Sequence, residues 1–207
     1  MIVHPGKPKE LLISFLKATM DITRLHIRGH PIERCPSAKL LGVILSADLK
    51  WDLHVDSMCK KASKRLHQLV ILKRCKAPPE QLLSVYKSQI RSVLEYACQV
   101  WHPGLTKRLS DAIESVQRRA LRIIHPGVEY NTVLGTLNLQ KLHDRRVHLC
   151  HKLFKDIVKP DHKLHKLLPE KRDCQYSLRS QVQFTQPRLR TKRARGSFVN
   201  WALFNLQ

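Results

Sequence analysis

The hydrophobic pattern changes period near residue 50. Before that point apolar residues come in short runs. Leu11-Leu12-Ile13-Ser14-Phe15 is long enough for a buried strand, and Leu25-His26-Ile27 alternates up to Arg28-Gly29-His30-Pro31, a turn signal followed by Ile32-Glu33-Arg34. This predicts a hairpin with Gly29 in the left-handed position. Lys39-Leu40-Leu41-Gly42-Val43-Ile44-Leu45 reads as a further continuous strand whose Gly42 marks a bulge or a close backbone approach. Residues 1–50 are expected to form a small antiparallel β unit of three to four short strands.

After Trp51 the spacing is helical. Asp52 is a candidate N-cap, and Val55, Met58, Cys59, Ala62, Leu66, Leu69 and Val70 form one stripe. Pro78-Pro79 ends that helix and starts a second, with Leu82, Leu83, Tyr86, Ile90, Val93, Leu94, Ala97 and Trp101 on one face and an i,i+4 pair, Arg91 and Glu95. His102-Pro103-Gly104 breaks it. A third helix starts near Lys107, with Leu109, Ala112, Ile113, Val116, Ala120, Ile123 and Ile124 inward, and stops at Pro126-Gly127. A short segment at 132–136 leads to a fourth, carrying Leu142, Leu149, Cys150, Leu153, Phe154 and Ile157, that ends at Pro160. Long helices joined by short Pro/Gly breaks predict an antiparallel bundle. Past Lys171 the pattern fades into a mostly irregular basic arm with an amphipathic end at 198–206. The fold class is α+β: β unit 1–50, thumb-like helices 51–128, helical extension 129–170, basic arm 171–207.

Charge now changes the picture. The 207 residues carry 38 Lys+Arg against 16 Asp+Glu, a formal net charge of +22. A chain so basic is expected to meet a polyanion, nucleic acid first. Between Ser57 and Lys76 stand seven basic residues and no acidic one: Lys60, Lys61, Lys64, Arg65, Lys73, Arg74 and Lys76. Lys60 and Lys64, at i,i+4, repel each other, and a phosphate backbone would offset that repulsion. The arm adds Arg188, Arg190, Lys192, Arg193 and Arg195. Trp51, Trp101 and Trp201 stand far apart, so backbone contacts are expected rather than base reading.

Other chemistry is thin. No run approaches the length of a membrane span, and the start, Met1-Ile2-Val3-His4-Pro5, lacks the apolar core of a signal peptide. The six cysteines form no C-x-x-C pair and are expected to be free thiols in a reducing, nuclear or cytoplasmic compartment rather than a secreted one. His54-Val55-Asp56 matches the H-x-D half of an iron triad, but it stands at a helix start, where polar residues are ordinary. Of the histidines between His143 and His165 only His148 and His151 share a helical face at ligand spacing, and no C-x-x-C supports zinc there. No phosphate-binding loop, nucleophile elbow or H-E-x-x-H motif occurs.

Several stretches in order resemble the C-terminal part of a non-LTR (LINE-type) retrotransposon reverse transcriptase. They are Lys39–Leu45 with Asp48-Leu49-Lys50-Trp51-Asp52-Leu53-His54-Val55 and Lys60-Lys61-Ala62-Ser63-Lys64-Arg65-Leu66, then Arg91–His102, then Leu105-Thr106-Lys107 with Glu114–Ile124. The resemblance implies the end of a palm at Lys9–Phe15, a primer-grip hairpin at Leu41, Gly42 and Val43, and a helical thumb along a template–primer duplex at 52–125. Two-metal polymerisation needs paired aspartates, and this chain has no Asp-Asp pair. The expectation is a non-catalytic fragment that binds RNA–DNA or DNA duplexes through phosphates, with no cofactor, membrane or small-molecule substrate. A non-functional remnant of such an element is the alternative. The first fifty residues also resemble the N-terminal region of an AlkB-type homologue, which would imply an iron dioxygenase or a methyltransferase-associated domain.

Overall fold

Two tight turns shape the amino-terminal part. In the computed structural model, which describes residues 8–14, 22–171 and 184–206, the chain divides into two units, Met1–Ser57 and Met58–Gln207. In the first, β2 (His26–Ile27) pairs antiparallel with β3 (His30–Pro31) across Arg28-Gly29, both at positive φ. Two left-handed residues match the twist of a two-residue hairpin, so the expected turn is present with Gly29 in the expected conformation.

The stretch 39–45 is not one strand. β5 (Ser37–Leu40) and β6 (Val43–Ser46) form a hairpin in which Leu40 faces Val43 and Leu41-Gly42 make the turn, with φ of 47° and 87°. Gly42 therefore supplies a turn rather than a bulge. Leu41 is 85% exposed and accepts a left-handed backbone that costs a branched residue roughly 1 kcal/mol. Leu41→Asn is expected to relieve most of that cost. Amide exchange in β6 should then slow by up to about fivefold, measured by hydrogen–deuterium exchange.

The expected antiparallel unit needs a second correction. β1 (Lys9–Glu10) pairs in parallel with β4 (Glu33–Arg34), so the six strands among the described residues form three sheets of two. Charge fixes this register. Arg34 holds the Glu10 carboxylate with two bonds of 3.1 and 3.2 Å, and Lys9 stands 3.6 Å from Glu33. Leu11–Ser14 is not a strand and is half-buried to exposed; Phe15 lies outside the described residues.

α1 (Asp52–Arg74) begins in the first unit and continues in the second. Asp52 is its first residue rather than its cap. Its buried apolar positions, Val55, Met58, Ala62, Leu66 and Leu69, follow the predicted stripe, of which Cys59 and Val70 are half-buried. The predicted second helix is interrupted. α2 (Pro79–Val85) widens into a π-helical segment, Tyr86–Arg91, and resumes as α3 (Ser92–Glu95). The buried residues Leu82, Tyr86, Ile90, Leu94 and Cys98 recur every four. On an α-helix each such step overshoots by about 40° and would wind the stripe around the axis. The widened turn takes up part of that drift. A left-handed Ala97 then breaks the helix before α4 (Cys98–Trp101), and the Trp101 indole donates to the Tyr96 carbonyl across the break at 3.0 Å.

α5 (Lys107–Ile124) is capped by Thr106, α6 (Tyr130–Thr136) is the expected short segment, and α7 (Leu142–Ile157) is the fourth long helix. α7 packs against α4 and α5, and α5 also meets α2 and α6. The Arg91–Glu95 pair is present at 3.8 Å, but Arg145 of α7 holds Glu95 more closely, with two guanidinium nitrogens on its two oxygens. This joins α3 to α7.

The carboxy-terminal stretch is less irregular than its composition predicts. Among its described residues are α8 (Lys192–Arg195) and α9 (Phe198–Asn205). Phe184, Ala202 and Leu203 are buried with Phe154 of α7. The amphipathic end expected at 198–206 is this packed helix. Among the described residues no helix is long and apolar enough to cross a membrane.

Candidate nucleic-acid interface

The apolar stripe of α1 decides where its charge goes. With Ala62, Leu66 and Leu69 buried, the residues between them turn outward. Lys60, Lys61, Lys64 and Arg74 are exposed, and among the described residues no ion pair involves them. Arg65 and Lys73 are half-buried and engaged within the fold. Arg65 donates to the Gln89 carbonyl in the π segment, and the Lys73 ammonium donates to the Ile124 carbonyl at 3.0 Å. Ile124 ends α5, where a cation satisfies a free carbonyl and the negative end of the helix. So of the six α1 cations expected at phosphates, four face solvent and two also tie the helix down.

The structure adds residues that the sequence left unassigned. Arg119 of α5 reaches the Ser63 hydroxyl of α1 at 2.8 Å, so α5 lies beside the lysine face. Arg122, nearly one turn on, is exposed on α5 as well. Arg118 instead stacks over the Tyr130 ring, 5.1 Å from its centre. Arg119 thus stands beside the exposed α1 lysines that flank Ser63, and Arg122 is a further exposed cation on the same helix. The signal was available in Gln117-Arg118-Arg119-Ala120-Leu121-Arg122, but which face of that run meets α1 is a tertiary fact.

Arg188, Arg190, Lys192 and Arg193 are exposed on the carboxy-terminal segment. Arg188, Lys192 and Arg195 line an open cavity of about 800 Å³ shared with Pro103, Thr106 and Phe204. These cations are grouped with the 103–106 turn. In the first unit, Leu41 and Gly42 are exposed at the tip of the β5–β6 hairpin, and Val43 is buried beside it.

His54 and Asp56 are not brought together. Two residues apart on a helix, they point about 200° away from each other. The buried His54 Nδ1 accepts from the Ile44 amide of β6 at 3.3 Å, and burial pushes its pKa down. His54 therefore fastens the hairpin to the first turn of α1. Among the described residues no three His, Cys, Asp or Glu side chains gather as a metal site.

Sequence reading missed a buried polar layer in the second unit. Glu114 and Gln117 sit on the inward face of α5, and Arg146 sits on that of α7. Tyr86 donates to Gln117 Oε1; Gln117 Nε2 donates to the Tyr130 oxygen at 2.8 Å and the Gln140 carbonyl at 3.1 Å. Tyr130 and the Leu142 amide, at the start of α7, both donate to Glu114 Oε1. Burial pushes both phenols above their ordinary range. Arg146 is fully buried, with Nη2 on Ser110 at 2.9 Å, Nε on His102 Nδ1 at 3.3 Å, and its guanidinium over the Trp101 ring. The detectable sign was polarity at a stripe position: Arg146 stands four residues from both Leu142 and Cys150.

One family model, described as "Alkylated DNA repair protein alkB homolog 8, N-terminal", matches residues 51–92. That stretch holds α1, α2 and the π segment. The likeness to an AlkB-type N-terminal region therefore falls after residue 50, not on the first fifty residues as the sequence reading placed it. Neither a curated protein nor a solved structure matches the chain.

Proposed function

We propose that the chain is a non-catalytic nucleic-acid-binding segment of reverse-transcriptase type, with residues 51–128 acting as the thumb of a non-LTR element and the α1–α5 face lying along duplex phosphates. The observation that carries this reading is the run of exposed, carboxylate-free lysines on α1 with Arg119 set beside it. Each lysine there repels its neighbours, and a phosphate backbone supplies the missing counter-charge. In this reading the helices form an antiparallel bundle, the described cations of 184–195 belong to a basic arm, and the partner is an RNA–DNA or DNA duplex, met in the nucleus or cytoplasm. The Leu41-Gly42-Val43 hairpin is then the primer grip.

Salt titration of duplex binding, followed by fluorescence anisotropy, tests the reading. Lys60→Glu, Lys61→Glu and Lys64→Glu together should reduce the slope of log K against log salt by about 2 to 3, since each lost phosphate contact removes about 0.9. Arg65 and Lys73 stay in place because they also serve the fold. A control reversing Lys163, Lys166 and Lys171 changes net charge equally and should leave the slope nearly unaltered. Equal effects of the two triples, or binding indifferent to salt, would sink the proposal.

The match over residues 51–92 favours a second reading, in which α1 and α2 form an AlkB-homologue-type N-terminal region. Iron-dependent decarboxylation of 2-oxoglutarate that is lost in His54→Ala would support an enzyme of that kind. The diverging His54 and Asp56 side chains argue against it.

A further inference from the structure

The amino-terminal ends of α5 and α7 border a cavity of about 710 Å³, within the ordinary range for a small-molecule site. One face of α5 lines it with the exposed Lys107, Asp111 and Arg118 and the buried Glu114, which stands two turns, roughly 10 Å along the axis, from Lys107. Glu114 is only 8% exposed. Its Oε1 is occupied by Tyr130 and the Leu142 amide, while its buried Oε2 has no hydrogen-bond partner among the described residues. A buried acceptor left empty costs about 1–3 kcal/mol, and a donor that reaches Oε2 once the Glu114 side chain turns toward the cavity would recover that cost.

The walls narrow the choice of donor. The His102 and Trp201 rings both line the cavity, 5.7 Å apart and nearly perpendicular, and offer a planar group an aromatic wall. His102 Nδ1 accepts from Arg146, which places the imidazole hydrogen on Nε2 and keeps that ring a donor. Lys107 and Lys141 supply cations for an anionic end. A flat group with an N–H donor, joined to a phosphate, satisfies all of these.

We propose that this cavity binds a nucleotide whose base carries an exocyclic amino group, the amine donating to Glu114 Oε2 and the phosphate facing Lys107 and Lys141. Carboxylates read cytosine N4 in this way elsewhere. The nucleotide can be a free nucleoside monophosphate or an unpaired base of a single strand. Only the second source rests on the nucleic-acid reading above.

Calorimetric titration with CMP and UMP tests the site. UMP has a carbonyl where CMP has the amine, and should bind at least about tenfold more weakly. Glu114→Gln should reverse that order. Its amide oxygen must take the Oε1 place to accept from Tyr130 and Leu142, so its NH2 stands where Oε2 was and donates to the uracil carbonyl. Lys107→Ala, at an exposed position, should weaken CMP several-fold and leave cytidine unchanged. Oligo-dC against oligo-dU then reports the single-stranded source, using the protein that carries Lys60→Glu, Lys61→Glu and Lys64→Glu. A dC preference surviving there separates this site from the α1 face. Equal affinity for CMP and UMP, or no binding of either, overturns the proposal and leaves water on Oε2.

Discussion

Arg146→Met is expected to fold at least as stably as the native chain, and Arg146→Ala to be about 3 kcal/mol less stable than Arg146→Met. The guanidinium is fully buried, yet its direct partners are neutral: Ser110, His102 and the Trp101 ring. Its Nη1 is buried without a hydrogen bond among the described residues. Burial holds the Arg146 pKa below its ordinary value. Taking such a charge out of water costs several kcal/mol, and no carboxylate forms an ion pair with it among the described residues. A methionine keeps most of the volume between α4, α5 and α7, removes the charge, and leaves His102 able to move its hydrogen to Nδ1. Alanine removes the charge too but leaves a hole beneath Trp101, and a long side chain cut back to alanine in a core costs about 2–5 kcal/mol. Urea midpoints of the three proteins measure the difference. If Arg146→Met loses as much as Arg146→Ala, the guanidinium contacts outweigh its desolvation and the charge has a role beyond packing.

How far the sequence could be read follows from what each residue answers to. The α1 stripe was legible because a continuous amphipathic helix obeys one period from Val55 to Leu69. The Gly29 turn was legible because its chemistry is local. The interrupted helix at 79–101 was not, since a period of four fits a helix on paper and only packing forces Tyr86–Arg91 to widen and Ala97 to break. Leu41-Gly42 was misread because leucine is a poor turn residue, and the hairpin imposes a left-handed backbone on it. The parallel pairing of Lys9–Glu10 with Glu33–Arg34 depends on two charge pairs across more than twenty residues, which no local pattern announces. In the candidate interface, the α1 cations were plain from their spacing. Arg119 joins them through Ser63, and Glu114 gains its empty oxygen only when α6 and α7 arrive.

Acid should unfold the chain earlier than its carboxylates alone require, through His102. This imidazole is 7% exposed; burial first, then the Arg146 guanidinium and His143, hold its pKa at about 3 against 6.5 in the open chain. Between those values the unfolded chain binds a proton that the folded chain refuses. The contribution of His102 to stability is therefore fully present above pH 6.5 and is lost as pH falls toward 3. At about 1.4 kcal/mol per pH unit, it amounts to about 2 kcal/mol between pH 6.5 and pH 5. His102→Asn tests this, because its amide oxygen can accept from Arg146 Nε while the side chain no longer titrates. Urea midpoints taken at pH 7, 6 and 5 should show the native protein losing about 2 kcal/mol more than the variant, and parallel losses would show that the imidazole is protonated in the folded chain. Arg146→Met should raise the His102 pKa, since it removes the cation beside the ring, and thereby shrink the native acid loss. His102 also forms a wall of the nucleotide cavity, so the proton that destabilises the fold would enter at that wall, beside the Arg146 charge.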